Sequence, residues 1–157
     1  MSDKPIEVGA AAPDFTLKDQ HDTEVRLSGL RGRRVILSFH PQAWTRVCTI
    51  QMQDLEKNKA RIDGLGAVAL GLSVDSRPCK KAWADSMGVK ETALLADFWP
   101  HGAVAQMYGV FFQEFGFSMR SVFIVGEDGK ITFKKVYPTK QVPDIEEILE
   151  ALEEDSA

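Results

Sequence analysis

Two cysteines, Cys48 and Cys79, are the only thiols in the chain, and Cys48 has the more informative setting. It closes the stretch Phe39-His-Pro-Gln-Ala-Trp-Thr-Arg-Val-Cys48, which leaves an apolar run, turns at a proline and enters a helix. With Thr45 as the helix N-cap, Cys48 takes the third helical position, among backbone N–H groups that have no partner inside the helix. Those amides and the helix dipole favour an anion, so the thiol is expected to be drawn toward its nucleophilic thiolate. Ionisation alone adds little speed. Moving a thiol from about 8.5 to about 6 raises the thiolate fraction at neutral pH about 30-fold, while a nucleophilicity slope near ~0.45 takes back about 13-fold. Donors aimed at charge growing on a leaving group are worth roughly 100- to 1,000-fold each. The chemistry therefore needs a hydroxyl, which Thr45 offers within one turn, and a cation from elsewhere in the chain.

The elements that must hold these residues follow from periodicity. Asp14 to Leu17 and Glu24 to Leu27 alternate apolar and polar residues around a polar turn and predict an opening hairpin. Val35 to Phe39 reads as a buried central strand, ended by Pro41, which cannot donate to a ladder. From Cys48 onward, Met52, Leu55, Ile62 and Leu65 recur at helical spacing until Gly64 and Gly66, predicting one helix with Cys48 on its buried edge. Ala67 to Val74 predicts a second internal strand, followed by a helix over Lys80 to Met87 that stops at Gly88. This strand–helix–strand unit is expected to be parallel, with Cys79 emerging at the same sheet edge as Cys48. A short helix at Ala103 to Tyr108, a hairpin of Ser121–Val125 and Ile131–Val136 about Glu127-Asp-Gly129, and a closing helix from Ile145 to Leu152, opened by Pro143, complete the pattern. The expected architecture is an α/β three-layer sandwich, a mixed central sheet with helices on both faces, in one domain over residues 1–157.

Composition narrows the function. A net charge of −4 with scattered Lys and Arg gives no footprint for nucleic acid, and the cluster Arg31 to Arg34 reads as solvated charge at a strand entrance. Met1 to Phe15 lacks the apolar run of a signal peptide or membrane span, so a cytoplasmic protein with no membrane partner is expected. In that reducing setting Cys48 and Cys79 are not expected to form a permanent staple. No Cys-x-x-Cys is present, so the chain does not read as a disulfide reductase. His21, His40 and His101 lack metal-ligand spacing, and neither a metal nor another cofactor is expected.

Pro41-x-x-x-Thr45-x-x-Cys48 resembles the peroxidatic motif of the peroxiredoxins, and Gly9-Ala-Ala-Ala-Pro-Asp-Phe15 and Ala96-Asp-Phe-Trp-Pro-His-Gly-Ala-Val104 extend the likeness over nearly the whole chain. The second stretch is most similar to the alkyl hydroperoxide reductase E type. The resemblance implies a thioredoxin-like fold with an N-terminal hairpin extension. It also implies a thiol peroxidase that reduces hydrogen peroxide and organic hydroperoxides through a sulfenic acid on Cys48. Thr45 and Arg120, in Phe117-Ser-Met-Arg-Ser-Val-Phe123, would then orient the peroxide, and Pro41 would shield the sulfenate. Two residues depart from the family pattern, Gln51 in place of a usual glutamate and His40 in place of a frequent tyrosine. Cys79 is a candidate resolving cysteine. The alternative, the one-cysteine mode of the resembled type, is an external reductant of thioredoxin, glutaredoxin or low-molecular-weight thiol kind. A homodimer is also implied, and Phe111, Phe112, Phe115 and Phe117 are expected to line its interface or to wall the peroxide pocket. Two other readings use the same fold, a peroxide sensor that passes its oxidation to a partner and a holdase that needs no Cys48.

Overall fold

In the computed structural model, which describes residues 4–155, the apolar runs become the strands of a five-stranded sheet. An antiparallel hairpin of β1 (Thr16–Lys18) and β2 (Glu24–Arg26) comes first, with a 3-10 turn over Leu27–Leu30. β3 (Arg34–Phe39) follows and is buried along its whole length, as a strand with a neighbour on either side requires. Next are α1 (Arg46–Lys57), α2 (Lys59–Gly64), β4 (Ala67–Ser73) and α3 (Arg77–Met87). β5 (Ala93–Ala96), α4 (Ala103–Met107), β6 (Phe111–Phe112), β7 (Phe117–Ser118), β8 (Ser121–Val125), β9 (Ile131–Val136) and α5 (Ile145–Asp155) complete the fold. β3, β4 and β5 are parallel, and β8 runs antiparallel between β3 and β9.

Each sheet face has its own core. Cys48, Met52 and Leu55 of α1, Ile62 of α2, Trp83 and Ala84 of α3 and Ile148, Leu149 and Leu152 of α5 pack on one side. Phe15, Leu27, Val104, Ala105 and Tyr108 cover the other. α1 lies over Gly71 of β4, where an added Cβ would meet the Met52 and Leu94 side chains. Among the described residues no helix is long and apolar enough to cross a membrane.

The structure corrects several expectations. The single helix after Cys48 is two, because Asn58 leaves helical geometry (φ −102, ψ 13) and its side-chain amide donates to the Asp54 carbonyl at 2.8 Å. Pro143 lies ahead of α5 rather than opening it, and Asp144 caps the helix by accepting from the Glu146 N–H at 3.0 Å. Arg34 is not solvated: it is buried in β3 and donates to the carbonyl of Leu152. Two pairing partners escape the periodicity reading, the four-residue β5 and the β6–β7 hairpin within the phenylalanine run. Within that run Phe112 lies edge-on to Phe115 and Phe117 while Phe111 packs on the core, and of the four phenylalanines only Phe115 is exposed.

Candidate active site

Between β3 and α1 the chain has to reverse within six residues, and the turn is sharp enough to force Trp44 into the left-handed region at φ 74. Thr45 then takes the extended N-cap conformation (φ −81, ψ 152), and Cys48 falls at the third position of α1 as expected. The Thr45 hydroxyl does not cap the helix. It donates instead to the Gln42 carbonyl at 3.0 Å, on the exposed side of the turn. Pro41 is buried, and Cys48 has no exposed surface.

Arg120, at the entrance to β8, is buried beside this turn and brings the cation the chemistry lacked. One guanidinium nitrogen, Nη1, donates to Cys48 Sγ at 3.3 Å and to Gln51 Oε1 at 2.7 Å. Nε and Nη2 grip the Thr139 carbonyl at 2.9 and 2.8 Å, so the fork is anchored on the far side from the thiol. Gln51 stands one turn below Cys48 on α1. Its amide nitrogen donates to Ser38 Oγ (2.7 Å) and to the Phe39 carbonyl (3.1 Å), so the same side chain ties Arg120 to the end of β3. The structure thus brings together Cys48 and Arg120, with Pro41 buried in the turn that leads to α1 and Thr45 exposed at its end.

A second polar cluster underlies the turn. His40 is buried, and its Nε2 lies 3.0 Å from Lys80 Nζ. Lys80, also fully buried, donates to Ser73 Oγ at 2.6 Å, and Ser73 donates on to Asp75 Oδ2 at 2.7 Å. The same carboxylate oxygen accepts from the Ala43 N–H at 2.8 Å, while Oδ1 faces Cys79 Sγ at 4.0 Å. Burial, then the charge of Lys80, holds His40 well below the ordinary histidine range. Burial also brings the Lys80 ammonium down to about 7, against the pull of Asp75, Cys48, Cys79 and Asp97. Sequence reasoning passed over Lys80, Ser73 and Asp75. The one available signal was a lysine standing on the apolar stripe of α3 with Trp83 and Ala84.

Cys79 sits at the third position of α3, its N–H directed at the Ser76 hydroxyl of the cap, so both cysteines occupy the same place on helices that follow adjacent parallel strands. Among the described residues no group of three His, Cys, Asp or Glu is arranged to hold a metal ion.

A thiol fixed at a helix start, with an arginine donating to its sulfur and a threonine one turn away, is equipped to attack a polarised oxygen. The sequence and the fold are similar to those of other proteins. Residues 8–134 match the AhpC/TSA family. The chain is 41% identical over 140 residues to alkyl hydroperoxide reductase E of Mycobacterium tuberculosis, spanning 88% of this chain and 91% of that one. It is 31% identical over 147 residues to a thiol peroxidase of Staphylococcus saprophyticus, spanning 93% and 87% respectively. Its fold superposes on a reduced 2-Cys peroxiredoxin of Plasmodium vivax with a TM-score of 0.86 at 26% identity, over 95% of this chain and 81% of that one. On these grounds the chain belongs to the AhpC/TSA family, the peroxiredoxins, built on a thioredoxin-like fold.

Proposed function

We propose that Cys48, Thr45, Arg120 and Pro41 act as one unit on a hydroperoxide. The protein is a thiol-dependent peroxidase, an oxidoreductase of antioxidant defence. One observation carries the assignment of the site, the 3.3 Å hydrogen bond from Arg120 to the sulfur of a cysteine at the start of α1. The Cys48 thiolate attacks one peroxide oxygen, so an S–O bond forms as the O–O bond breaks. Sulfur loses two electrons and becomes a sulfenic acid, while the departing oxygen leaves as hydroxide or alkoxide and is protonated to water or an alcohol. The Arg120 guanidinium faces the charge that grows on that oxygen. The Thr45 hydroxyl, whose proton is engaged by Gln42, keeps lone pairs that accept the peroxide O–H and so orient the substrate. Pro41 limits the access of water to the sulfenate.

Cys48 and Cys79 each sit in the first turn of a separate intact helix, and this supports an external thiol of thioredoxin, glutaredoxin or low-molecular-weight kind as the reductant, in preference to Cys79. A disulfide needs Cα atoms within about 7 Å, and we read local opening of α1 as the step that would bring Cys48 to Cys79. We read residues 1–157 as one domain in the cytoplasm, working as a homodimer. The exposed aromatic side chains of Trp44, Phe98, Trp99 and Phe115 support the dimer.

Stopped-flow mixing of the reduced protein with hydrogen peroxide and with an organic hydroperoxide tests the chemistry. The expected result is reaction far faster than that of a free thiol, with a sulfenic acid on Cys48 by mass spectrometry and sustained turnover once a thiol reductant is added. A rate no faster than a free thiol's overturns the proposal. A Cys48–Cys79 disulfide in the same spectra reverses the preference for an external reductant.

A further inference from the structure

A trans peptide is rigid and planar, and its N–H and C=O point in opposite directions, so a partner on one end sets the aim of the other. The peptide between Gln42 and Ala43, inside the turn from β3 to α1, has a partner at each end. Its N–H donates to Asp75 Oδ2 at 2.8 Å, and its C=O accepts from the Thr45 hydroxyl at 3.0 Å. Asp75 is itself held. Ser73 Oγ donates to the same Oδ2 at 2.7 Å, Lys80 Nζ donates to Ser73 Oγ at 2.6 Å, and both Ser73 and Lys80 are buried. Cys79 Sγ faces the other carboxylate oxygen, Oδ1, at 4.0 Å. The turn needs such a hold, because Trp44, between Ala43 and Thr45, is kept at φ 74, a conformation that persists only where the surroundings enforce it. Its indole is exposed, so the constraint has to come from the backbone on either side.

We propose that Asp75 is a positioning residue that sets the direction of the Thr45 hydroxyl through the Gln42–Ala43 peptide. It acts at one remove. With the carboxylate holding the N–H, the Gln42 carbonyl faces Thr45, takes the hydroxyl proton and leaves the Thr45 lone pairs to accept the peroxide O–H. A negative charge on the N–H also polarises the peptide and makes its carbonyl a better acceptor, so the two hydrogen bonds reinforce one another. Ser73 and Lys80 belong to the same device, as the donors that keep Oδ2 aimed at Ala43. The inference rests on the peroxidase reading for the use of Thr45, while the hold on the turn is measured without peroxide.

The test is a double-mutant cycle on the stopped-flow rate with hydrogen peroxide, combining Asp75→Ala with Thr45→Val, alongside Asp75→Asn. Asparagine keeps an oxygen for the Ala43 N–H, so it separates loss of the hydrogen bond from loss of the charge. The expected result is that Asp75→Ala slows the reaction about tenfold in the parent and less than about twofold in Thr45→Val, while Asp75→Asn stays within about threefold of the parent. Alkylation of Cys48 by iodoacetamide, followed on its peptide by mass spectrometry, makes no use of Thr45 and is expected to be unchanged. Asp75→Ser, too short to reach Ala43, completes the cycle should the alanine variant fail to fold. An equal loss in both Thr45 backgrounds, no loss in Asp75→Ala, or a matching fall in alkylation overturns the proposal. Exchange of the Ala43 amide by NMR reads the hold alone. It is expected to be slow in the parent and in Asp75→Asn and fast in Asp75→Ala, and equal exchange in all three overturns the proposal whatever the rates. A parent no faster than a free thiol but with this exchange pattern refutes the peroxidase and leaves the hold of Asp75 on the turn standing.

Discussion

Arg120 reaches Cys48 with its charge undivided. Its side-chain partner on α1 is the neutral Gln51, its other anchor is a backbone carbonyl, and among the described residues it forms no ion pair. A glutamate at position 51 would hold the guanidinium as firmly but would share its field, and it could not donate to the Phe39 carbonyl as the Gln51 amide does. Arg120→Met is therefore expected to slow the stopped-flow reaction with peroxide about 100- to 1,000-fold. Gln51→Glu is expected to slow it about tenfold, a loss of roughly 1.4 kcal/mol of transition-state stabilisation. A rate for Arg120→Met within threefold of the parent would remove Arg120 from the catalytic unit. Thr45 presents a different case, because its hydroxyl lies at an exposed rim and has a partner before any substrate arrives.

The elements that carry these residues are fastened by two carboxylates with opposite titration behaviour. Glu56, near the end of α1, is partly buried, which raises its pKa. Hydrogen bonds from the N–H groups of Lys90, Glu91 and Thr92 and from the Thr92 hydroxyl outweigh that and hold it below the usual 4.5. Asp97, just past β5, accepts the N–H groups of Val104 and Ala105 at the start of α4, yet burial dominates and pushes it up to about 6. The folded state thus binds fewer protons at Glu56 than the unfolded chain does, and its contribution is intact above pH 4.5 and lost as the pH falls. At Asp97 the folded state holds more protons between 3.8 and 6, so stability declines as the pH rises through that window. In chemical denaturation across acidic pH, Glu56→Gln is expected to flatten the loss on acidification and Asp97→Asn to flatten the decline toward pH 6. A parallel offset at every pH would contradict both assignments.

Much of this element scale was legible in the sequence. The 3.6-residue period that runs through Met52 and Leu55, with Thr45 before it, placed Cys48 on α1, and Arg120 stood where the motif's resemblance put it. What escaped depended on contacts between distant positions. Asn58 is a weak local signal, one asparagine among charged residues whose side chain turns back on Asp54, and β5 is four residues whose strand character comes from pairing with β4. The His40–Lys80–Ser73–Asp75 cluster unites residues up to forty positions apart, and Arg34 finds its acceptor in α5, 118 positions away.

For the molecule as a whole, exposed aromatic side chains are the unfinished feature. Trp99 is 80% and Trp44 56% exposed, on loops that follow β5 and β3, and Trp44 is the immediate neighbour of Thr45. If a second copy covers them, sedimentation at micromolar concentration yields a dimer, and Trp99→Glu shifts it to monomer while leaving the fold's circular dichroism unchanged. A parent protein that sediments as monomer ends the dimer reading.

The 72 positions that separate Cys48 from Arg120 also set an order in time. A chain leaving the ribosome presents its cysteine long before its arginine has been synthesised, and Thr139, which anchors that arginine, comes later still. β8 must then pair with β3 before the guanidinium can reach the sulfur. During synthesis Cys48 therefore lacks the arginine that donates to its sulfur in the folded protein, and an oxidant that meets the unfinished chain meets a thiol without that partner.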